Sequence, residues 1–147
     1  MSMRTAMRTS AMAAATATMT MMTMTSAAAV PSWEHDHLNQ QDPKAGVRPV
    51  KCVGDSRGMA CYADSGEWFS ANDKKDDERS VVINWELLDR EGQLMRRGNA
   101  WKTGSSNWGY RNKSFPEYDR TRFRLCTGKH KGHRTDSNCT KWRMSNA

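Results

Sequence analysis

The sequence has 147 residues, of which 23 are Lys or Arg and 16 are Asp or Glu, so its formal net charge is +7. No stretch approaches the run of about 18 apolar residues that crosses a bilayer as a helix, and we expect no membrane span. The length fits one domain behind a leader, and the hydrophobic content of 37% predicts a small core.

The first 29 residues follow the order of a secretory signal. Arg4 and Arg8 make the start basic, and an uncharged run of Ala, Met and Thr follows. Ala27 and Ala29 then supply the small residues that signal peptidase requires. Two other interpretations stay open: a disordered leader, or a transit peptide, because the stretch is also rich in hydroxyls and free of acids. We predict a signal peptide over residues 1–29 and a secreted, extracellular protein.

The segment that follows is polar and carries several prolines. Pro31, Pro43 and Pro49 interrupt it, and its hydrophobic residues show no steady period. We therefore predict a flexible N-terminal segment over residues 30–49 and a β-domain over residues 50–147.

Short extended stretches then alternate with turn residues at intervals of about 8–12 residues, as in antiparallel sandwiches and small barrels. The strongest strand is residues 80–88, which places four apolar side chains on one face: Val81, Ile83, Trp85 and Leu87. Residues 121–127 also alternate, with Thr121, Phe123 and Leu125 on one face and Arg122, Arg124 and Cys126 on the other. The other strand candidates are residues 50–53, 59–62, 67–70, 93–97, 100–103, 108–113 and 138–144.

The four cysteines are an even set in a short, exported chain, which predicts two disulfides. Three pairings are possible, and we favour Cys52–Cys61 with Cys126–Cys139 because each pair flanks a hairpin or turn candidate. A zinc site is the alternative, but no C-x₂-C pair is present. The predicted fold class is all-β: a small antiparallel β-sandwich or barrel with two disulfides.

The sequence NDKKDDER over residues 72–79 is a dense charge run. We interpret it as a solvated loop. A calcium loop is the alternative, although the regular D-x-D-x-D-G spacing is missing and Lys74 and Lys75 lie inside the run.

The second half of the chain combines three features. They are a strand with an aromatic residue over 80–85, a Gly- and Trp-containing stretch over 101–108, and a closing R-L-C-x-G…C-x-x-W pattern over 124–128 and 139–142. In these features the chain resembles a group of uncharacterised small secreted proteins of actinobacteria. The resemblance implies a secreted β-fold with no assigned activity and no catalytic residues. The chain departs from that group by being basic in its closing hairpin.

Positive charge is concentrated near the C-terminus, where residues 120–143 hold eight basic residues and one acidic residue. If residues 121–127 and 138–144 pair, many of these charges share one face. Such a face is expected to bind a polyanion, which would be an anionic cell-wall polymer such as teichoic acid, an acidic polysaccharide or nucleic acid. The polyanion-binding candidates are Arg122, Arg124, Lys141 and Arg143. The alternative is a charge that serves only solubility.

Two tryptophans and four histidines are further candidates. Trp101 and Trp108 straddle a turn and are candidates for stacking on glycan rings, with core filling as the alternative. The histidines form two pairs, His35 with His37 and His130 with His133. Each pair alone supplies only two metal ligands, so we interpret them as solvated and predict no metal site and no cofactor.

Two motifs of metalloproteases and nucleotide-binding enzymes are absent: the sequence has no H-E-x-x-H and no P-loop. The leading interpretation is a secreted, non-catalytic β-protein that binds an anionic polymer or glycan at the cell envelope. Two alternatives stay open, a small secreted hydrolase of the nuclease type and a secreted protease inhibitor.

Overall fold

The computed structural model describes residues 29–43, 51–104, 107–116, 119–135 and 138–145. The predicted signal peptide lies outside the described residues, except for its last position. Within those ranges every regular element is a strand, which confirms the all-β prediction. The strands are β1 (Trp33–His37), β2 (Lys51–Gly54), β3 (Gly58–Ala63), β4 (Trp68–Asp73), β5 (Ser80–Leu88), β6 (Leu94–Lys102), β7 (Trp108–Asn112), β8 (Arg120–Lys129), β9 (Arg134–Thr135) and β10 (Arg143–Met144).

The strands form two sheets that enclose one main core. The larger sheet has the order β1-β6-β5-β8-β10, with β9 paired to β8, and the smaller sheet has the order β2-β3-β4-β7. Every neighbouring pair is antiparallel except β1 with β6, which run parallel. Buried side chains from both sheets pack together, as expected for a sandwich.

The alternation read from the sequence places the core of the larger sheet correctly. The apolar set of β5 is fully buried, and Phe123 and Leu125 of β8 join it in the same cluster. Phe69 of β4 and Tyr62 of β3 supply the aromatic side of the smaller sheet. Because residues alternate between faces along a strand, Arg122 and Arg124 lie on the opposite, outer face.

The segment predicted to be flexible contains a strand. Residues Trp33 to His37 form β1 and pair in register with residues Arg97 to Trp101 of β6. The prediction was wrong here because the inward-facing residues of β1 are acids, Glu34 and Asp36, rather than apolar residues. Hydrophobic periodicity therefore gives no signal for this strand.

The two acids of β1 are held by three cations at the end of the core. Asp36 contacts Lys113 at 2.6 Å and Arg111 at 2.8 Å. Glu34 contacts Lys113 at 2.7 Å and Arg96 at 2.8 Å. Hydrogen bonding to Arg96, the largest contribution, lowers the pKa of Glu34 to about 2 even though burial acts in the opposite direction. This network attaches the N-terminal strand to both sheets.

Strand β6 is continuous, whereas the sequence predicted two pieces separated near Gly98. A Cβ at Gly98 would lie 2.5 Å from the Glu34 carbonyl oxygen and 2.8 Å from the Trp85 ring. The glycine therefore allows β1 and the core tryptophan to approach the backbone closely, and it does not end the strand.

Both predicted disulfides are present, Cys52–Cys61 and Cys126–Cys139, and no described cysteine is free. Cys52 and Cys61 are directly opposed on β2 and β3. The second bridge joins β8 to the segment before β10. Strand β10 covers only Arg143–Met144, whereas the sequence predicted a strand over residues 138–144. Two disulfides are consistent with an extracellular or otherwise oxidising compartment.

Candidate functional site

The outer face of the larger sheet gathers most of the candidate residues into three rows that cross four strands. Directly paired residues share a face, so the strand register defines each row. From β1 to β8 the rows are Trp33–Arg97–Glu86–Arg122, His35–Asn99–Asn84–Arg124 and His37–Trp101–Val82–Cys126.

At the β8 end of this face, two arginines stack on one tryptophan. The Arg124 guanidinium carbon lies 4.4 Å from the centroid of the Trp142 ring, and that of Arg122 lies 5.0 Å from it. Arg122 also forms an ion pair with Glu86, its partner across the β5–β8 ladder. Among the described residues no carboxylate forms an ion pair with Arg124, and its buried Nε has no hydrogen-bond partner. We call Arg122, Arg124 and Trp142 the basic face; Lys141, the residue before Trp142, is exposed.

The fourth predicted cation does not belong to this face. Arg143 is in register with Phe123, whose side chain lies in the core, so Arg143 falls on the opposite side of the β8–β10 pair. The strand register therefore separates Arg143 from Arg122 and Arg124. The pairing of β10 with β8 decides this, and charge density in the sequence contains no information about it.

The two tryptophans predicted to stack on glycans are separated. Trp101 is only 1% exposed and packs in a small cluster with Val82 and Cys126. Its indole Nε1–H donates to Asn99 Oδ1 at 2.8 Å. Trp108 is 38% exposed but lies on β7 of the other sheet. The pair does not form a shared platform, and Trp101 fills the interior because a covering turn excludes solvent from it.

That covering turn brings the four histidines together. His130 and His133 belong to the connection between β8 and β9, and their rings lie against Trp101 at centroid distances of 5.5 and 6.1 Å. The His133 ring stacks on His35 at 4.3 Å, and the His130 ring meets His37 edge-on at 4.7 Å. The sequence predicts solvated histidines in two pairs and does not show that the pairs meet. The H-x-H spacing of His35 and His37 is visible in the sequence. Only the fold shows that His130 and His133 lie against these two rings.

Hydrogen bonds fix the protonation of one of these rings. Asn99 Oδ1 receives the Trp101 indole N–H, so it is an acceptor. The same oxygen lies 2.9 Å from His35 Nδ1, which must therefore carry the proton. In neutral His35 the Nε2 lone pair then remains free.

His130 is the least exposed of the four rings. Its Nε2 is buried and has no hydrogen-bond partner. Burial lowers the pKa of His130, and the neighbouring His37 and His133 lower it further. Both effects favour the neutral form of the ring. An open cleft of about 320 Å³ reaches the cluster and is lined by Trp33, His35, Asn99, His133 and Thr135.

The charge run lies at a different place and has a structural role. Asp73 ends β4, is buried, and accepts hydrogen bonds from the backbone amides of Lys75 at 3.0 Å and Val81 at 3.3 Å. Burial raises the pKa of Asp73 despite these bonds. In the described part of the chain no three His, Cys, Asp or Glu side chains are already arranged to hold a metal ion, and the calcium-loop alternative gains no support.

Comparison with protein-family models, curated proteins and solved structures gives no match for this chain. The resemblance to actinobacterial secreted proteins stays a prediction. The described residues contain no helix long and apolar enough to cross a membrane.

Proposed function

We propose that this chain is a non-catalytic extracellular protein that binds an anionic polymer of the cell envelope through the basic face. The observation that carries the proposal is the arrangement of Arg124. Its guanidinium stacks on Trp142 and forms no ion pair with any described carboxylate.

Stacking on an indole orients a guanidinium without neutralising it. The ring covers one face of the planar group, and the N–H donors lie along its edge rather than against the ring. Such a fork matches the two oxygens of a phosphate or carboxylate. Arg122 stacks on the same ring and adds positive charge beside it. A repeating anionic polymer is a ligand that several such cations engage together.

Export is the second part of the proposal. Residues 1–29 are proposed to direct secretion and to be removed before Val30, in keeping with the two disulfides. The intact mass of protein from the culture fluid tests this. Secreted protein that retains the leader would contradict it.

The binding test compares two charge-matched variants, Arg124→Gln on the basic face and Arg143→Gln on the opposite side of the same hairpin. Affinity for polyglycerol-phosphate teichoic acid is measured at two salt concentrations. Arg124→Gln is expected to weaken binding on the order of 10-fold, which corresponds to one charge-assisted hydrogen bond. It should also lower the salt slope by roughly 1. Arg143→Gln should change neither quantity by a comparable amount.

Four results would count against the proposal. If the parent shows no salt-sensitive binding, the charge serves solubility alone. If both variants weaken binding equally, net charge rather than the basic face is responsible. Cleavage of RNA or DNA would favour the hydrolase alternative, and inhibition of a protease would favour the inhibitor alternative.

A further inference from the structure

The histidine cluster lies on the same outer face but takes no part in the proposed polymer binding. It consists of all four histidines of the chain, two from β1 and two from the β8–β9 connection, with almost a hundred residues between the pairs. We propose that this cluster binds one divalent transition-metal ion of the late first row, such as Zn²⁺ or Cu²⁺, through imidazole nitrogens from both segments.

The tautomer and orientation of the His35 ring suit a metal ligand. A metal-binding imidazole commonly donates its other ring N–H to a carbonyl or carboxylate oxygen, which fixes the tautomer and orients the ring. Asn99 Oδ1 plays this part at 2.9 Å, and Trp101 fixes the amide orientation by donating to the same oxygen. His35 Nε2 is therefore available to a metal ion.

The surroundings of the His130 Nε2 atom also suit a metal ligand. Its Nε2 is buried without a hydrogen-bond partner, although buried polar atoms normally have one. A metal ion would supply the missing partner.

The ligand atoms that the cluster offers decide which metal ions it would bind. Neutral imidazole nitrogens suit Zn²⁺, Cu²⁺ and Ni²⁺, whereas Ca²⁺ and Mg²⁺ require oxygen ligands. The nearest acid in sequence, Asp36, is turned to the inner face and held by Lys113 and Arg111. The ligand set is therefore nitrogen-rich and selects for the late transition metals.

The rings are not yet directed at one point, because His35 and His133 stack face to face. Three of the four rings are exposed, those of His35, His37 and His133. The ring torsion of histidine is broad, so the rings of His37 and His133 can turn without a change of backbone, while His35 keeps its hydrogen bond to Asn99. The adjoining cleft gives an ion access to them. We therefore expect rotation of these side chains to bring the ring nitrogens around the ion.

The test is calorimetric titration of Zn²⁺, Cu²⁺ and Ca²⁺ into disulfide-intact protein that carries no histidine tag. We expect one Zn²⁺ or one Cu²⁺ per chain and no Ca²⁺ binding. His133→Gln removes a proposed ligand from an exposed turn. It should weaken Zn²⁺ binding by about 100-fold or more, because the loss of a residue that only hydrogen-bonds to a ligand already costs about 10–100-fold in affinity. Lys131→Gln, in the same turn, is the matched control and should bind as the parent does.

A peptide of residues 33–38 measures how much the H-x-H pair achieves alone. If the parent binds Zn²⁺ and Cu²⁺ no more tightly than this peptide, the proposal is overturned. It is also overturned if folded His133→Gln binds as the parent does, or if Lys131→Gln loses as much affinity. Should His133→Gln fail to fold by circular dichroism, His35→Gln on the edge strand decides by the same criterion. Zn²⁺ should raise the Tm of the parent and not of the ligand variants.

Discussion

Replacing Lys113 with Met tests whether strand β1 is an integral part of the fold. The Lys113 side chain is only 6% exposed, and its Nζ lies 2.7 Å from Glu34 Oε2 and 2.6 Å from Asp36 Oδ2. The same nitrogen lies 4.7 Å from the centroid of the Trp85 ring. Met keeps most of the apolar stem, so the substitution isolates the charge and its hydrogen bonds.

The expected cost follows from the contacts that are lost and those that remain. Each charge-assisted hydrogen bond contributes about 1.5–3 kcal/mol, and two are removed. Glu34 retains Arg96 and Asp36 retains Arg111, so neither acid becomes an unpaired buried charge. We therefore expect the free energy of unfolding to fall by about 3 kcal/mol, the low end of the range for a broken buried ion pair. Domains of this size are stable by only about 5–15 kcal/mol, so the loss is large.

The assay is urea unfolding with the disulfides intact, followed by tryptophan fluorescence. Lys141→Met is the control, because this exposed lysine forms no ion pair with a described residue, and it should change stability by less than about 0.5 kcal/mol. Limited proteolysis of residues 30–43 should be faster in Lys113→Met than in the control. If Lys113→Met and Lys141→Met unfold at the same urea concentration, the network does not hold β1 and the reasoning fails.

Three further outcomes are expected. The pKa of Glu34 is about 2 in the folded state against 4.5 normally. Its contribution to stability is therefore complete above pH 4.5 and is lost as the pH falls towards 2. Acid unfolding of Glu34→Gln beside the parent measures this contribution. Gly98→Ala should lower the free energy of unfolding by about 2 kcal/mol or more, because the new Cβ would lie 2.5 Å from a backbone oxygen; urea unfolding at the parent's stability would refute the close approach. Replacing both Cys126 and Cys139 with Ser should cost about 3 kcal/mol by releasing a loop of 13 residues, as thermal or urea unfolding under matched conditions will show.

Features that depend on neighbouring residues were accessible from the sequence. The alternation of Val81, Ile83, Trp85 and Leu87 identified both the strand and its buried face, because side chains of a strand alternate with a period of two. The two disulfides also followed, since each joins cysteines close in the sequence, at separations of 9 and 13 residues. The all-β class and the outward position of Arg122 and Arg124 rest on the same local rule.

Features that depend on which strands become neighbours were decided by the tertiary structure. The acids of strand β1 pair with cations that lie more than 60 residues later in the chain. No local sequence pattern therefore predicts this strand. The register of β10 moved Arg143 away from the other cations, and the β8–β9 turn buried Trp101.

The histidine cluster shows the same division most clearly. The sequence by itself determined only the spacing of His35 and His37, within a segment predicted to be flexible, and the place of His130 and His133 in a polar connection. Only the parallel pairing of β1 with β6, and the return of β9 along β8, place the two pairs in contact. A strand carries its own alternation in its residue order. Its partner and register, however, come from the packing of segments far apart in the chain.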